Sequence, residues 1–443
     1  MKVAQGHYKI LMRKIYYGYF ALTLLVLVFG CGNRKAGGEL TGVRLKGLKS
    51  SKAPRGMVFI PAGSFIAGQS DEDITSAQIS QNRQFTESAF FMDETEISNS
   101  QYRQFVNWVR DSIAITQYLN DPSYFIENTS GDNNGQQYIN WQKVGDGNGI
   151  WGKKNQNKDA LNQMYYQGDD RIFGRDELDV RLLKYHYEIY NHRMAAANKN
   201  NKSMRRSDFI IRDTIGIYPD TLVWLADFSY AQNEPLVEGY FSHPAFQDYP
   251  VVGVNWRQAR AFAVWRTKLY ENYAQRVGLS RLARLSYELP SEHQWEYAAR
   301  GGLNGAPYPW GGPTIRNARG CLMANFKPGR GNYADDGGAY TVPVHSYFPN
   351  DYGLYNMAGN VAEWTASSFE ESSSSFIHDM NPTYSYEAKA GDPEILKRKV
   401  VRGGSWKDIG YFLQNSTRTY EYQDTSKSYI GFRCVTSYAG RDL

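Results

Sequence analysis

The sequence predicts an α+β domain with little regular structure, and three observations lead to this prediction. Helices are few, and each is marked at its start by a capping box, two polar residues three apart that satisfy the first backbone N–H groups. Short segments rich in glycine and aromatic residues separate the helices, which is typical of short strands and turns. The stretch 325–364 is dense in Gly, Asn, Asp, Tyr and Pro. Its interleaved aromatic and aliphatic residues indicate packed loops rather than disorder.

Residues 1–30 are typical of a lipoprotein signal peptide. Basic residues precede an apolar run at 16–29 that is followed by Gly and Cys31. The run is shorter than the roughly 20 apolar residues that cross a bilayer comfortably, and its end resembles a bacterial lipobox. In such signals the cysteine becomes the lipidated first residue of the mature chain. An uncleaved anchor with an incidental cysteine is the alternative, and translation starts at Met1 or at Met12.

Residues 31–55 are predicted to form a basic, flexible tether. Residues 1–55 contain 11 Lys or Arg and one Glu, whereas residues 56–443 contain 39 basic and 44 acidic residues and so carry a net charge of −5. The tether is rich in Gly, Ser and Lys, a composition that suits a linker beside anionic lipid headgroups. The mildly acidic remainder argues against binding of nucleic acid. A folded domain is predicted for residues 56–440.

The predicted elements follow in chain order. Residues 56–68 read as a strand, a Pro/Gly turn and a second strand, and residues 90–109 pass from a strand into a helix. The capping boxes that mark the helices pair Ser98 with Gln101, Asn255 with Gln258, and Ser291 with Gln294, and the last helix has Gly301 as its C-cap.

A further helix is predicted at 176–194. Its apolar positions recur at helical spacing, and it begins with acidic and ends with basic residues. The face consists of Leu178, Leu182, Tyr185 and Ile189. We expect this face to be buried and the opposite, charged face to be available to a partner. His186 and His192 are six residues apart, which argues against a metal pair.

Cysteine usage limits the chemistry. Once Cys31 carries lipid, Cys321 and Cys434 remain, and they either form a disulfide or are two separate buried thiols. The sequence has no CxxC motif, and neither cysteine lies near a His and Asp set that would make it a nucleophile.

Eight short motifs together resemble one known family. In order they are "MVFIPAGSFIAG", "FFMDETEISNSQYRQFV", "PVVGVNWRQARAFAVW", "LPSEHQWEYAARGG", "YPWGG", "GLYNMAGNVAEW", "VRGGSW" and "GFRC". This order resembles that of the formylglycine-generating enzymes and sulfatase-modifying factors. The matches span residues 57–434, apart from an interruption at about 111–248, which we call the inserted segment. The resemblance implies an irregular α+β fold related to C-type lectins, with a long insertion.

The resemblance also implies a lost active site. Enzymes of this family bind copper and oxidise a substrate cysteine through two cysteines that follow the "GGS" motif. An ungapped comparison of the glycines puts Asp408 and Leu413 at those two positions. A carboxylate and an isobutyl group cannot replace two soft thiolates for Cu(I), and residues 322–433 contain no cysteine at all. We therefore expect no copper and no oxidase activity, and assign no catalytic residue.

Calcium is the cofactor that the resemblance leaves in place. The family holds calcium through side-chain and backbone oxygens, the ligands that this hard cation prefers. The matching positions are Asn356, Gly359, Val361 and Glu363 for the first ion, and Asn325, Phe326, Asp336 and Gly338 for the second. The alternative is that the polar members only cap turns.

The inserted segment and the sequences around it resemble one branch, the GldK/PorK lipoproteins of type IX secretion and gliding motility. The resemblance implies a non-catalytic lipoprotein on the periplasmic face of the outer membrane. It also implies a ring of copies assembled with a GldN/PorN-type partner and other secretion components. Two alternatives from other classes are an enzyme with thiol-free chemistry, and a module that binds peptide or glycan in the ancestral cleft.

Overall fold

The computed structural model describes the chain in eight stretches. These are residues 53–69, 82–127, 137–145, 149–152, 158–228, 235–276, 285–329 and 332–438. The predicted signal peptide, Cys31 and residues 31–52 of the predicted tether lie outside them. Within the described stretches, no helix is both long and apolar enough to cross a membrane.

Two four-stranded sheets form the framework. The first is antiparallel and joins, in spatial order, Met57–Ile60 (β1), Phe90–Asp93 (β4), Val435–Ser437 (β14) and Tyr287–Glu288 (β9). The second joins Thr419–Tyr422 (β12), Arg398–Arg402 (β11), Ala362–Ser368 (β10) and Ile430–Gly431 (β13), with only the β10–β13 pair parallel. The first sheet therefore combines strands from distant parts of the chain, whereas the second is formed within residues 362–431.

Three two-stranded sheets and nine α-helices complete the regular structure of the described residues. The strand pairs are Gly63–Ala67 (β2) with Arg83–Glu87 (β3), Phe125–Glu127 (β5) with Gln137–Ile139 (β6), and Lys184–Tyr190 (β7) with Ile210–Gly216 (β8). The helices are Asn99–Ile113 (α1), Trp141–Gly145 (α2), Lys158–Asn162 (α3), His192–Ala197 (α4), Val223–Asp227 (α5), Pro235–Gly239 (α6), Trp256–Arg276 (α7), Glu292–Ala299 (α8) and Ser373–Phe376 (α9). The mixture of helices and sheets confirms the α+β class.

The three capping boxes are confirmed. The Ser98 hydroxyl accepts the Gln101 N–H at 3.3 Å, and the Gln101 side chain accepts the Ser98 N–H at 2.9 Å. Equivalent reciprocal bonds open α7 and α8. Gly301 follows α8 with a φ of +59°, the left-handed geometry of a helix C-terminus. The dense stretch 325–364 also behaves as predicted, since its described residues, 325–329 and 332–364, contain no helix or strand before β10.

The main core lies between α1 and α7. Tyr102 stacks on Phe262 with ring centroids 5.6 Å apart, and Phe105 contacts Trp265 at 5.1 Å. Tyr185 of β7 closes the same core, because its ring lies 5.2 Å from that of Phe105. A hairpin from the inserted segment is thus part of the core.

The predicted helix at 176–194 is wrong. Residues 180–182 form one 3₁₀ turn, and residues 184–190 form β7, which pairs with β8 in an antiparallel hairpin. Tyr185 and Tyr187 are buried, whereas Lys184, His186 and Glu188 are exposed. The apolar residues of this segment fit both the 3.6-residue period of a helix and the two-residue period of a strand. Tyrosine and isoleucine favour the pleated surface of a strand.

The two cysteines are not paired. Cys321 is exposed and Cys434 is fully buried, and both are free thiols. The disulfide alternative is therefore wrong, and the alternative of two buried thiols holds only for Cys434. Burial raises the pKa of the Cys434 thiol to about 12, which keeps it protonated and unreactive.

Candidate functional site

The segment 403–413, which we call the GGS turn, leaves the end of β11 and carries the two positions predicted to have lost their cysteines. Gly403 and Gly404 have φ values of +94° and +67°, which only glycine adopts easily. A Cβ atom on Gly404 would lie 2.7 Å from the carbonyl oxygen of Phe412. The glycines therefore allow the chain to fold back closely on itself.

Asp408 lines a cavity of about 140 Å³ beside this turn, which we call the turn cavity. The Ser405 hydroxyl donates to its carboxylate at 2.6 Å, and burial raises the pKa of the Asp408 carboxyl. The other walls of the cavity are mostly glycine, aliphatic, threonine and tyrosine residues, with Glu421 at the edge, and no histidine lines it.

Leu413 occupies a different environment from Asp408. Its side chain is fully buried in a small apolar cluster, and its Cδ2 atom would lie 3.2 Å from a Cβ atom on Gly404. The cluster also contains Tyr308, Leu322, Ala324, Phe326 and Ala358. Leu413 is not among the residues that line the turn cavity. The structure therefore brings only Asp408 to the cavity and places Leu413 in the core.

The inserted segment covers the outer side of the GGS turn. Trp406 stacks with Trp224 at a centroid distance of 6.1 Å, and with Phe228 at 6.2 Å and an interplanar angle of 1°. Asp227, at the end of α5, accepts hydrogen bonds from Lys407 and from Ser428. Helix α5 thus fixes the residue that follows the "GGS" motif.

The second predicted calcium set comes together in the structure. The Asp336 carboxylate accepts the backbone N–H groups of Phe326 at 2.6 Å and of Gly338 at 3.1 Å. The side-chain oxygen of Asn325 is buried and has no hydrogen-bond partner. Asp336 forms no ion pair with any residue that the structure describes. An acceptor without a donor and a carboxylate without a cation fit the oxygen chemistry of calcium.

The first predicted set fits calcium less well. The amide oxygen of Asn356 is buried without a partner, but the Glu363 carboxylate is already satisfied. It accepts Arg433 Nη2 at 2.7 Å and Nε at 2.8 Å, and Trp295 Nε1 at 2.8 Å. Gly359 and Val361 lie nearby in the chain, and a Cβ atom on Gly359 would meet the Asn325 carbonyl oxygen at 2.3 Å. Glu363 therefore serves as the buried counter-ion of Arg433.

Sequence reasoning missed a larger opening between the β7–β8 hairpin and helix α7. This opening, which we call the hairpin groove, has a volume of about 780 Å³, within the range of ligand sites. Its lining includes Glu87, Ile189, Trp256, Tyr287, Glu288 and Tyr438. Glu87 is 1% exposed, and its Oε1 atom has no partner. A sequence signal was available, since Glu87 occupies the buried phase of the alternation in β3.

Comparison with known proteins assigns the chain to a family. The model of the sulfatase-modifying factor enzyme 1-like domain matches residues 46–438. The inactive C-alpha-formylglycine-generating enzyme 2 of Bos taurus is 34% identical over 200 residues, which is 44% of this chain and 52% of that protein. The formylglycine-generating enzyme of Streptomyces coelicolor is 35% identical over 197 residues, or 42% of this chain and 52% of the enzyme. In these comparisons the chain spans about half the length of its relatives.

Longer matches extend over most of the chain at lower identity. The formylglycine-generating enzyme of Mus musculus is 25% identical over 396 residues, which is 86% of this chain and 75% of the enzyme. Among solved structures, PvdO from Pseudomonas aeruginosa has a TM-score of 0.47 and 16% identity, covering 88% of this chain and all of that one. The match to the family model spans most of the chain, so this protein belongs to the sulfatase-modifying factor enzyme 1-like family.

Proposed function

We propose that this chain is a non-catalytic lipoprotein that forms structural rings in the type IX secretion and gliding machinery. Cys31 anchors it to the periplasmic face of the outer membrane, and a GldN/PorN-type partner assembles with it. The resemblance of the whole mature chain to the GldK/PorK branch supports this proposal. The names of two relatives, inactive forms from Bos taurus and Mus musculus, are compatible with loss of catalysis in the family.

One observation carries the non-catalytic part of the proposal: the closure of the GGS turn. Leu413 is fully buried among apolar side chains, and Trp406 is covered by two rings of the inserted segment. A copper–thiolate centre needs two soft ligands that a substrate can reach. This turn offers one carboxylate and one buried isobutyl group instead.

The two alternative functions find less support in the geometry. The turn cavity of about 140 Å³ is smaller than the roughly 300 Å³ at which small-molecule sites begin. The Ser405 hydroxyl donates a hydrogen bond to Asp408, and no histidine lines the cavity to act as a general base. A peptide or glycan site in the ancestral cleft and a thiol-free enzyme are therefore both disfavoured.

Calcium is part of the proposal at the second set of residues. Asn325 and Asp336 offer side-chain oxygens that lack a donor or a cation, whereas Glu363 in the first set has Arg433. A bound calcium ion would tie the loop at 336–338 to the segment at 325–326. Its role would be structural, and these oxygen ligands are not the soft ligands that copper(I) prefers.

The membrane anchor is tested by Cys31→Ser in the full chain. Release of the variant into the soluble fraction is the expected result, because within the described residues no helix is able to span a membrane. A variant that stays fully membrane-bound in cells that lack its partners would contradict the lipid anchor.

The structural role is tested by comparing the GGS turn with the outer face of the β7–β8 hairpin. Glu188 and Arg212 pair across this face at 2.8 Å and are about half exposed. We expect Glu188→Lys or Arg212→Glu to weaken ring assembly without unfolding the monomer, whereas Asp408→Ala leaves secretion intact. The double swap Glu188→Arg with Arg212→Glu is the control, since it keeps the internal pair. Loss of secretion in Asp408→Ala, with folded and assembled rings, would overturn the proposal.

A further inference from the structure

The turn at 172–175 has an unusual geometry for its sequence. Phe173 and Gly174 have φ values of +49° and +65°, and the Arg175 N–H donates to the Ile172 carbonyl oxygen at 3.0 Å. These are the features of a type I′ turn, which favours Asn-Gly or Gly-Gly at its two central positions. A bulky aromatic residue at a positive φ is strained, and such strain is retained mainly where it serves a function.

The strained residue is also the most exposed large apolar side chain among the described residues. Phe173 is 91% exposed and Ile172 is 60% exposed, so neither contributes to the core of its own chain. The turn is nevertheless held in place. The Arg171 guanidinium donates to the Gly174 carbonyl oxygen at 2.7 Å and to Asp176 at 2.5 Å. The result is a braced loop that displays an aromatic ring beside the cation of Arg175.

The hairpin groove has the complementary properties. Its walls include the partly exposed ring of Tyr438 and the rings of Trp256 and Tyr287, which are 4% and 6% exposed. Two of its acidic residues are already paired, Glu188 with Arg212 and Glu387 with Arg260. Glu87 and Glu288 form no ion pair with a described residue, and Glu87 Oε1 lacks any donor. Arg193 also lines the groove, and its charge opposes the rise that burial causes in the pKa of Glu288. Burial raises the pKa of Glu87 to about 8, so Glu87 is neutral at pH 7 and the exposed Glu288 is the carboxyl group that an incoming cation can meet.

We propose that the 172–175 turn of one chain inserts into the hairpin groove of a second copy. Phe173 packs against the aromatic walls, and Arg175 meets the carboxyl group of Glu288. The two surfaces differ, so the contact is head to tail and repeats from copy to copy, closing a ring where the rotation permits. This inference rests on the self-association in the proposed function and adds the surfaces that make it.

The test is self-association of the purified Cys31→Ser chain, measured by sedimentation velocity over a range of concentrations. Phe173→Asn supplies the Asn-Gly pair that a type I′ turn favours, so the fold is retained while the anchor is lost. We expect it to weaken association about 30-fold, the effect of removing a strong interface anchor. Phe348→Ala is the matched control, because Phe348 is 83% exposed in another loop.

A charge swap distinguishes loss of the proposed contact between two copies from a change in the structure of each copy. Arg175→Glu and Glu288→Arg should each weaken association on their own. An equimolar mixture of the two variants should recover it, because in an alternating assembly each turn then meets a groove of opposite charge. If all three variants associate as strongly as the wild type, this contact is wrong. The proposed role in secretion is not affected by that result. A wild type that stays monomeric at every concentration would overturn the contact as well. The secretion and fractionation experiments test the proposed function separately.

Discussion

The GGS turn and the hairpin groove differ in how their charged and polar groups are satisfied. At the turn, Asp408 has a donor, Leu413 has a filled apolar site, and Trp406 is covered by the inserted segment. In the groove, a buried carboxyl group lacks a partner and aromatic rings face an opening of about 780 Å³. The GGS turn is closed, and the place where the inserted segment meets the core is open. Function is therefore better sought at the second place.

The largest effect is expected from breaking the buried pair behind the closed turn. Glu363→Ala leaves the fully buried Arg433 guanidinium without its carboxylate, which should lower the free energy of unfolding by about 3–5 kcal/mol. Glu188→Ala, in the exposed pair of the hairpin, should lower it by less than about 1 kcal/mol. Urea denaturation of both variants measures the difference, and equal losses would contradict the contrast between the two regions.

A somewhat smaller effect is expected from Leu413→Ala. The substitution creates a void in the cluster under the GGS turn and should destabilise the protein by about 2–4 kcal/mol. Ile409→Ala in the same turn is the control, because Ile409 is 53% exposed and should change stability by less than about 0.5 kcal/mol. A Leu413→Ala variant as stable as the control would show that the turn is open in solution.

Calcium removal should have an effect of intermediate size. An ion present at 100 times its dissociation constant stabilises the folded state by about 2.7 kcal/mol, so a chelator should lower the melting temperature by several degrees. Asp336→Asn should lower it similarly and abolish the response to chelator. Elemental analysis should show calcium and no stoichiometric copper. A melting temperature indifferent to chelator would eliminate the calcium proposal.

The last effect depends on pH and concerns the groove. Burial raises the pKa of Glu87 to about 8 from the ordinary 4.5, so the folded chain holds a proton that the unfolded chain releases between these values. Its contribution to stability is complete below about pH 4.5 and is lost as the pH rises through 8. Glu87→Gln should therefore flatten the fall in stability between pH 5 and 8 by at least about 1 kcal/mol. Identical pH profiles of stability for the wild type and Glu87→Gln would show that water reaches the Glu87 carboxyl group in the folded protein.

Local signals in the sequence predicted the helices that the family motifs contain. Ser98 and Ser291 mark helix starts because a hydroxyl and a glutamine three residues later satisfy N–H groups whatever the rest of the chain does. The loop-rich stretch at 325–364 was predictable from composition for a similar reason. These features depend only on residues that are neighbours in the sequence, so they can be predicted from the sequence alone.

The remaining features depend on distant residues. Residues 184–190 became a strand because β8, more than twenty residues later, offered a partner that no local period reveals. Trp224 covers Trp406 across 182 positions, and Glu363 meets Arg433 across 70. The predicted roles of Asp408 and Glu363 came from resemblance, and only the structure shows which groups already have partners.

The packing of Leu413 also bears on the evolutionary history of the chain. If positions 408 and 413 are those of the two proposed lost thiols, restoring them requires two substitutions, and each alone is useless to copper chemistry. Changing Leu413 to Cys leaves a void against Gly404 and the neighbouring rings, so the chain would lose stability before it gained any activity. Natural selection removes such intermediates. Under the proposed loss of the oxidase site, a return to the reaction would therefore have to pass through a destabilised intermediate, which makes the loss hard to reverse.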